Sequence, residues 1–71
     1  MIEVFKTNIT CREQAKKLIE LIQEHFTGYK ANFDLDDRDR ILRVVNVDAI
    51  AIQFIDWLAE CGCHAEVLPD N

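Results

Sequence analysis

Tyr29-Lys30-Ala31-Asn32-Phe33-Asp34-Leu35-Asp36-Asp37-Arg38-Asp39-Arg40-Ile41-Leu42-Arg43-Val44-Val45 is the stretch that decides the fold. In its first half Tyr29, Ala31, Phe33 and Leu35 alternate with Lys30, Asn32, Asp34 and Asp36. A period of two places one set on a dry face and the other in water, which predicts a strand. Asp36-Asp37-Arg38-Asp39 is a charged reversal, and Ile41-Leu42-Arg43-Val44-Val45 returns as a second strand rich in branched residues. The stretch reads as a β-hairpin.

Toward the N-terminus, Ala15, Leu18, Ile19, Ile22 and Phe26 recur at helical spacing, with Glu13, Lys16, Lys17, Glu20 and Glu24 between them. Thr10-Cys11-Arg12-Glu13 has the form of a capping box, in which Thr10 and Glu13 would satisfy orphan amides at the helix start. Gly28 closes a helix expected over 11–27. Ahead of it, Ile2, Val4, Phe5 and Ile9 predict a short strand within residues 1–9.

Toward the C-terminus, Asp48 is a suitable N-cap. Ile50, Phe54, Trp57, Leu58 and Cys61 then lie along one side of a helix expected over 49–61 and ended by Gly62. His64-Ala65-Glu66-Val67-Leu68 predicts a last strand, followed by a Pro69-Asp70-Asn71 tail. Strand, helix, strand, strand, helix, strand is thus the order along one domain, residues 1–71. Right-handed crossovers fold that order into a ferredoxin-like βαββαβ domain of the α+β class, a four-stranded antiparallel sheet with both helices on one face. Leu18, Ile22, Tyr29, Phe33, Leu35, Phe54 and Leu58 should fill its core. The same topology gathers the loops Asn8–Cys11, Asp36–Asp39 and Cys61–His64 at one end of the sheet, where any site is expected.

Composition narrows the function. A chain of 71 residues buries only about 60% of its unfolded surface, so few apolar groups are spare for a deep pocket. A net charge of −5 argues against nucleic acid, whose affinity comes largely from Lys and Arg on phosphates. It argues equally against an anionic membrane, and no segment approaches the roughly 18 apolar residues of a membrane helix. Three cysteines without a signal-peptide pattern point to a small acidic protein of the reducing cytoplasm. There is no Ser/His/Asp order, phosphate-cradling glycine loop or H-E-x-x-H. The carboxylates Asp34, Asp36, Asp37 and Asp39 lack the spacing of a calcium loop. No enzyme activity is expected.

Several of these stretches resemble the heavy-metal-associated domains of copper chaperones and metal-pumping ATPases. Their G-M-T-C-x-x-C loop between the first strand and helix corresponds to Asn8-Ile9-Thr10-Cys11-Arg12-Glu13-Gln14. Thr10 and the first cysteine are present; Ile9 stands for the Met, and Gln14 for the second cysteine. Phe33-Asp34-Leu35-Asp36-Asp37 with Ile41-Leu42-Arg43-Val44 is similar to the family's V-D-L-E…V-x-V hairpin. Leu58-Ala59-Glu60-Cys61-Gly62-Cys63-His64-Ala65-Glu66-Val67 is similar to its A-x-x-A-G-Y-x-A-x-V ending, with Cys63 in place of the aromatic residue. The resemblance implies a metallochaperone-like role with an altered soft-metal site for Cu(I) or Zn(II), and a metal-transfer protein partner.

Cys11, Cys63 and His64 are the candidate ligands, since clustered Cys and His are the ligand set for those ions. A thiol at a helix start lies near unpaired amides and the positive end of the macrodipole, which favours the thiolate. If the first and last strands pair antiparallel, the Cys11 and Cys63 loops meet, and Cys63 can supply the thiolate that Gln14 lacks. Each residue also has a plainer reading: Cys11 and Cys63 as packing groups, His64 as an exposed loop residue, Cys61 and Trp57 as core. The rival function is an interaction module that keeps the fold without metal and uses its sheet face or edge for self-association or another partner.

Overall fold

The computed structural model describes residues 2–45 and 51–68. Among them the elements run β1 (Ile2–Thr7), α1 (Arg12–His25), β2 (Lys30–Asp34), β3 (Ile41–Val45), α2 (Ala51–Glu60) and β4 (Ala65–Val67). The strands form one antiparallel sheet in the order β2-β3-β1-β4. This is the α+β ferredoxin-like arrangement expected from the hairpin outward. Asp48, Ile50 and the tail lie outside the described residues.

Register fixes the two faces. Phe33, Leu42, Phe5 and Val67 stand opposite one another across the four strands, and Ala31 stands opposite Val44. Phe5, Leu42, Val44 and Ala31 join Ala15, Leu18 and Ile22 of α1 and Phe54 and Leu58 of α2 in one buried cluster. Both helices therefore cover the same face. The other face carries Lys30, Asn32 and Asp34, then Ile41, Arg43 and Val45, then Ile2, Val4 and Lys6, then Glu66. Ile2 there is 58% exposed.

Aromatic rings concentrate where α1 ends. Phe54 meets Phe5, Phe26, Tyr29 and Trp57 at centroid separations of 5.5, 5.2, 5.9 and 6.3 Å. Trp57, half-buried, also stacks with His25 at 5.1 Å. Tyr29, Leu18, Ile22, Phe54 and Leu58 are buried as expected, whereas Phe33 and Leu35 are only half-buried. Both line the open groove between α1 and the outer strand β2, which leaves part of each side chain uncovered.

The capping box does not form. α1 begins at Arg12, its N-cap is Cys11 in extended conformation (φ −103°, ψ 127°), and no side chain caps it. The Cys11 carbonyl accepts the first helical bond, from the Ala15 amide at 3.0 Å. Ile9, 1% exposed, is anchored in the core just upstream. The chain leaves that anchor still extended and turns one residue later than the Thr10-x-x-Glu13 spacing requires.

Candidate functional site

The three loops do gather at one end of the sheet, tied by Thr7 at the end of β1 and by Asn8 just after it. Thr7 is buried, as a hydroxyl on the helix side of a central strand must be; its Oγ1 donates to the Arg40 carbonyl at 2.6 Å. The Thr7 amide donates to the carbonyls of Asp39 and Arg40, and the Ile9 amide donates to Thr7 Oγ1. Arg40 has a left-handed backbone (φ 49°), unusual for a side chain of its size, and its guanidinium donates back to the Leu35 carbonyl. On the other side, the His64 amide donates to Asn8 Oδ1 at 3.0 Å, which fastens the α2–β4 loop to the β1–α1 loop.

The candidate ligands have different fates. Cys11 is exposed, which removes the reading of it as a core plug. His64 is exposed as well. Cys63 is fully buried within the core cluster, and Cys61 is half-buried against that cluster. Among the described residues no three or more His, Cys, Asp or Glu side chains are grouped so as to hold a metal ion.

The chain geometry after α2 explains the burial of Cys63. Gly62 is left-handed (φ +88°), its amide bonds to the Ala59 carbonyl at 3.0 Å, and the Cys63 amide bonds to the Leu58 carbonyl at 2.9 Å. This is a Schellman motif, whose residue after the glycine commonly makes an apolar contact with the residue that accepts its amide bond. Leu58 and Cys63 are both fully buried in the same cluster. Desolvation, and to a lesser degree the neighbouring Cys61, push the Cys63 thiol up from 9.0 to about 11. Burial therefore makes the thiolate that a soft-metal ligand must supply costlier at Cys63 than at an ordinary cysteine.

Set against known protein families, curated proteins and solved structures, the chain matches no family model, no curated protein and no solved structure.

Thr7, Asn8 and Arg40 organise this end of the domain, and sequence reasoning passed over all three. Thr7 carried a usable signal, because an inward hydroxyl in a strand requires a partner. The contrast between the cysteines gives a direct test. Iodoacetamide at neutral pH should label Cys11 first, with Cys63 protected until the protein unfolds, as read by peptide mass spectrometry. Labelling of Cys63 in the native protein as fast as Cys11 would contradict its burial.

Proposed function

We propose that this chain is a protein-interaction domain that keeps the architecture of a heavy-metal-associated domain without its two-thiolate loop, and that it binds other protein rather than acting as an enzyme. The observation that carries the reading is the burial of Cys63. With Gln14 at the position of the family's second cysteine and Cys63 buried in the core, a second thiolate from Cys63 would require drawing that thiol out of the core and ionising it against a raised pKa. In favour of binding, the open sheet face mixes exposed or half-exposed Ile2, Val4 and Val45 with Lys6, Lys30 and Arg43. Among the described residues no helix is long and apolar enough to cross a membrane. The free thiols fit the reducing cytoplasm, and the acidic balance fits neither nucleic acid nor an anionic membrane as partner.

One observation favours metal carriage as a second reading. Cys11 and His64 are both exposed, on loops fastened together through Asn8 and the His64 amide. A thiolate with an imidazole would make a two-ligand Cu(I) site weaker than a two-thiolate one.

A chelator-competition titration of the reduced protein with Cu(I), then Zn(II), separates the two. The interaction reading expects no saturable one-to-one binding tighter than micromolar, and no change in Cys11→Ser. Tight saturable binding that falls at least tenfold in Cys11→Ser, about 1.4 kcal/mol, would give the lead to the metal reading.

A further inference from the structure

We infer that the partner of the β2 edge is a second copy of this chain, the two β2 strands pairing antiparallel about Asn32 so that Lys30 of each copy faces Asp34 of the other. The inference deepens the interaction reading by naming a partner, and it starts from the sheet order. β2 and β4 are the outer strands; β4 has three residues and β2 has five. Among the described residues β2 is thus the longer row of backbone groups with a strand on only one side, the kind of edge that templates further pairing.

The five residues Lys30-Ala31-Asn32-Phe33-Asp34 are self-complementary when reversed. Centred on Asn32, the antiparallel pair sets Lys30 against Asp34 twice, Asn32 against itself, and small Ala31 against Phe33 twice. Lys30, Asn32 and Asp34 are exposed on the open face. Ala31 and Phe33 lie on the helix side, where Phe33 is half-buried. A shift of two residues either way sets Asn32 against Lys30 or against Asp34 and leaves no Lys30–Asp34 pair within the five residues of β2. A shift of one residue turns open-face residues toward the helix side. Of the registers that keep the faces matched, the one centred on Asn32 is the one that pairs opposite charges within β2 itself.

The helix side of the edge agrees. An open groove of about 320 Å³ runs between α1 and β2, lined by Ile19, Phe33 and Leu35 with Arg12, Lys16 and Asp36 among its polar groups. Ile19, Phe33 and Leu35 are all half-buried. A second copy, continuing the sheet with its own α1 on the same side, would cover that remaining apolar surface. The competing role for Lys30 and Asp34 is that of charges that keep the edge unpaired, and charge exchange distinguishes the two.

The experiment measures the mass of the full reduced chain by light scattering and sedimentation from micromolar to millimolar concentration. Wild type is expected to dimerise, less so at high salt. Lys30→Asp or Asp34→Lys each converts both symmetry-related pairs from attraction to repulsion, and should weaken dimerisation about tenfold or more. The double variant K30D/D34K restores opposite charges and should recover the dimer. An equimolar mixture of the two single variants should associate more strongly than either alone. Circular dichroism confirms that each variant is folded, as expected for exposed positions. A wild type that stays monomeric at millimolar concentration, or single variants that dimerise like wild type, overturns the inference. Such a monomer that also fails to bind Cu(I) leaves the interaction reading standing.

Discussion

Phe54→Ala is expected to remove about half or more of the stability of this domain, leaving a chain largely unfolded in modest denaturant. Phe54 is fully buried and is the ring that Phe5, Phe26, Tyr29 and Trp57 all meet. It joins α2, the end of α1 and the central strand β1. Truncating a buried Phe typically costs about 3–5 kcal/mol, and the lost ring pairs fall within that loss. A domain of this length has only about 4–11 kcal/mol in total, at roughly 0.05–0.15 kcal/mol per residue. The cost is thus about half of a mid-range total and the whole of a low one. Urea denaturation followed by circular dichroism measures it, with Ile52→Ala as the control on the same helix. Ile52 is 69% exposed, and its truncation should stay within about 0.5 kcal/mol. If Phe54→Ala unfolds at the same urea concentration as Ile52→Ala, the aromatic cluster is not the centre of the core.

The hairpin was legible because one face is dry and the other wet, so Ala31 and Phe33 separated from Lys30, Asn32 and Asp34 without knowledge of the rest. The helices were legible from Leu18, Ile22, Phe54 and Leu58, whose spacing matches the face they bury. Helix starts were not. Thr10 and Glu13 have the chemistry of a capping box, but burial of Ile9 fixes where the chain turns, and that is a tertiary effect no four-residue window contains. The degree of burial at Phe33 and Leu35 was equally out of reach, because it depends on how far α1 covers the groove beside them.

The candidate site divides along the same line. The meeting of the Cys11 and His64 loops followed from topology, and the Asn8–His64 hydrogen bond is its local form. The fate of Cys63 did not follow, although its signal was present. Leu58-Ala59-Glu60-Cys61-Gly62-Cys63 spells a helix end with glycine in the left-handed position and an apolar residue directly after it. Read as a family pattern, position 63 is a ring lying over a metal loop; read as a helix terminus, it is a core residue. The backbone hydrogen bonds from Gly62 and Cys63 decide for the second.

The burial of Cys63 should also make the domain sensitive to alkali, with a sign that follows from proton binding. In the unfolded chain this thiol ionises near 9.0, whereas in the folded protein it keeps its proton until about 11. Below pH 9 both states hold the proton, and the residue adds no pH dependence. Between pH 9 and 11 the folded state binds more protons than the unfolded one, so stability falls as pH rises. At about 1.36 kcal/mol per pKa unit, the loss through that window amounts to roughly 2–3 kcal/mol, a large share of what a domain this small possesses. Other alkaline groups titrate there too, so the measurement is a difference: unfolding free energies of wild type and Cys63→Ala across pH 7 to 11. Below pH 9 wild type should be the more stable, because the variant loses the thiol's packing against the core that holds Leu58. As pH rises the two curves should converge and then cross, since the variant has no proton to lose at that position. Curves that stay parallel to pH 11 would mean that water reaches the Cys63 sulfur, and a sulfur that water reaches is again available as a partner for Cys11.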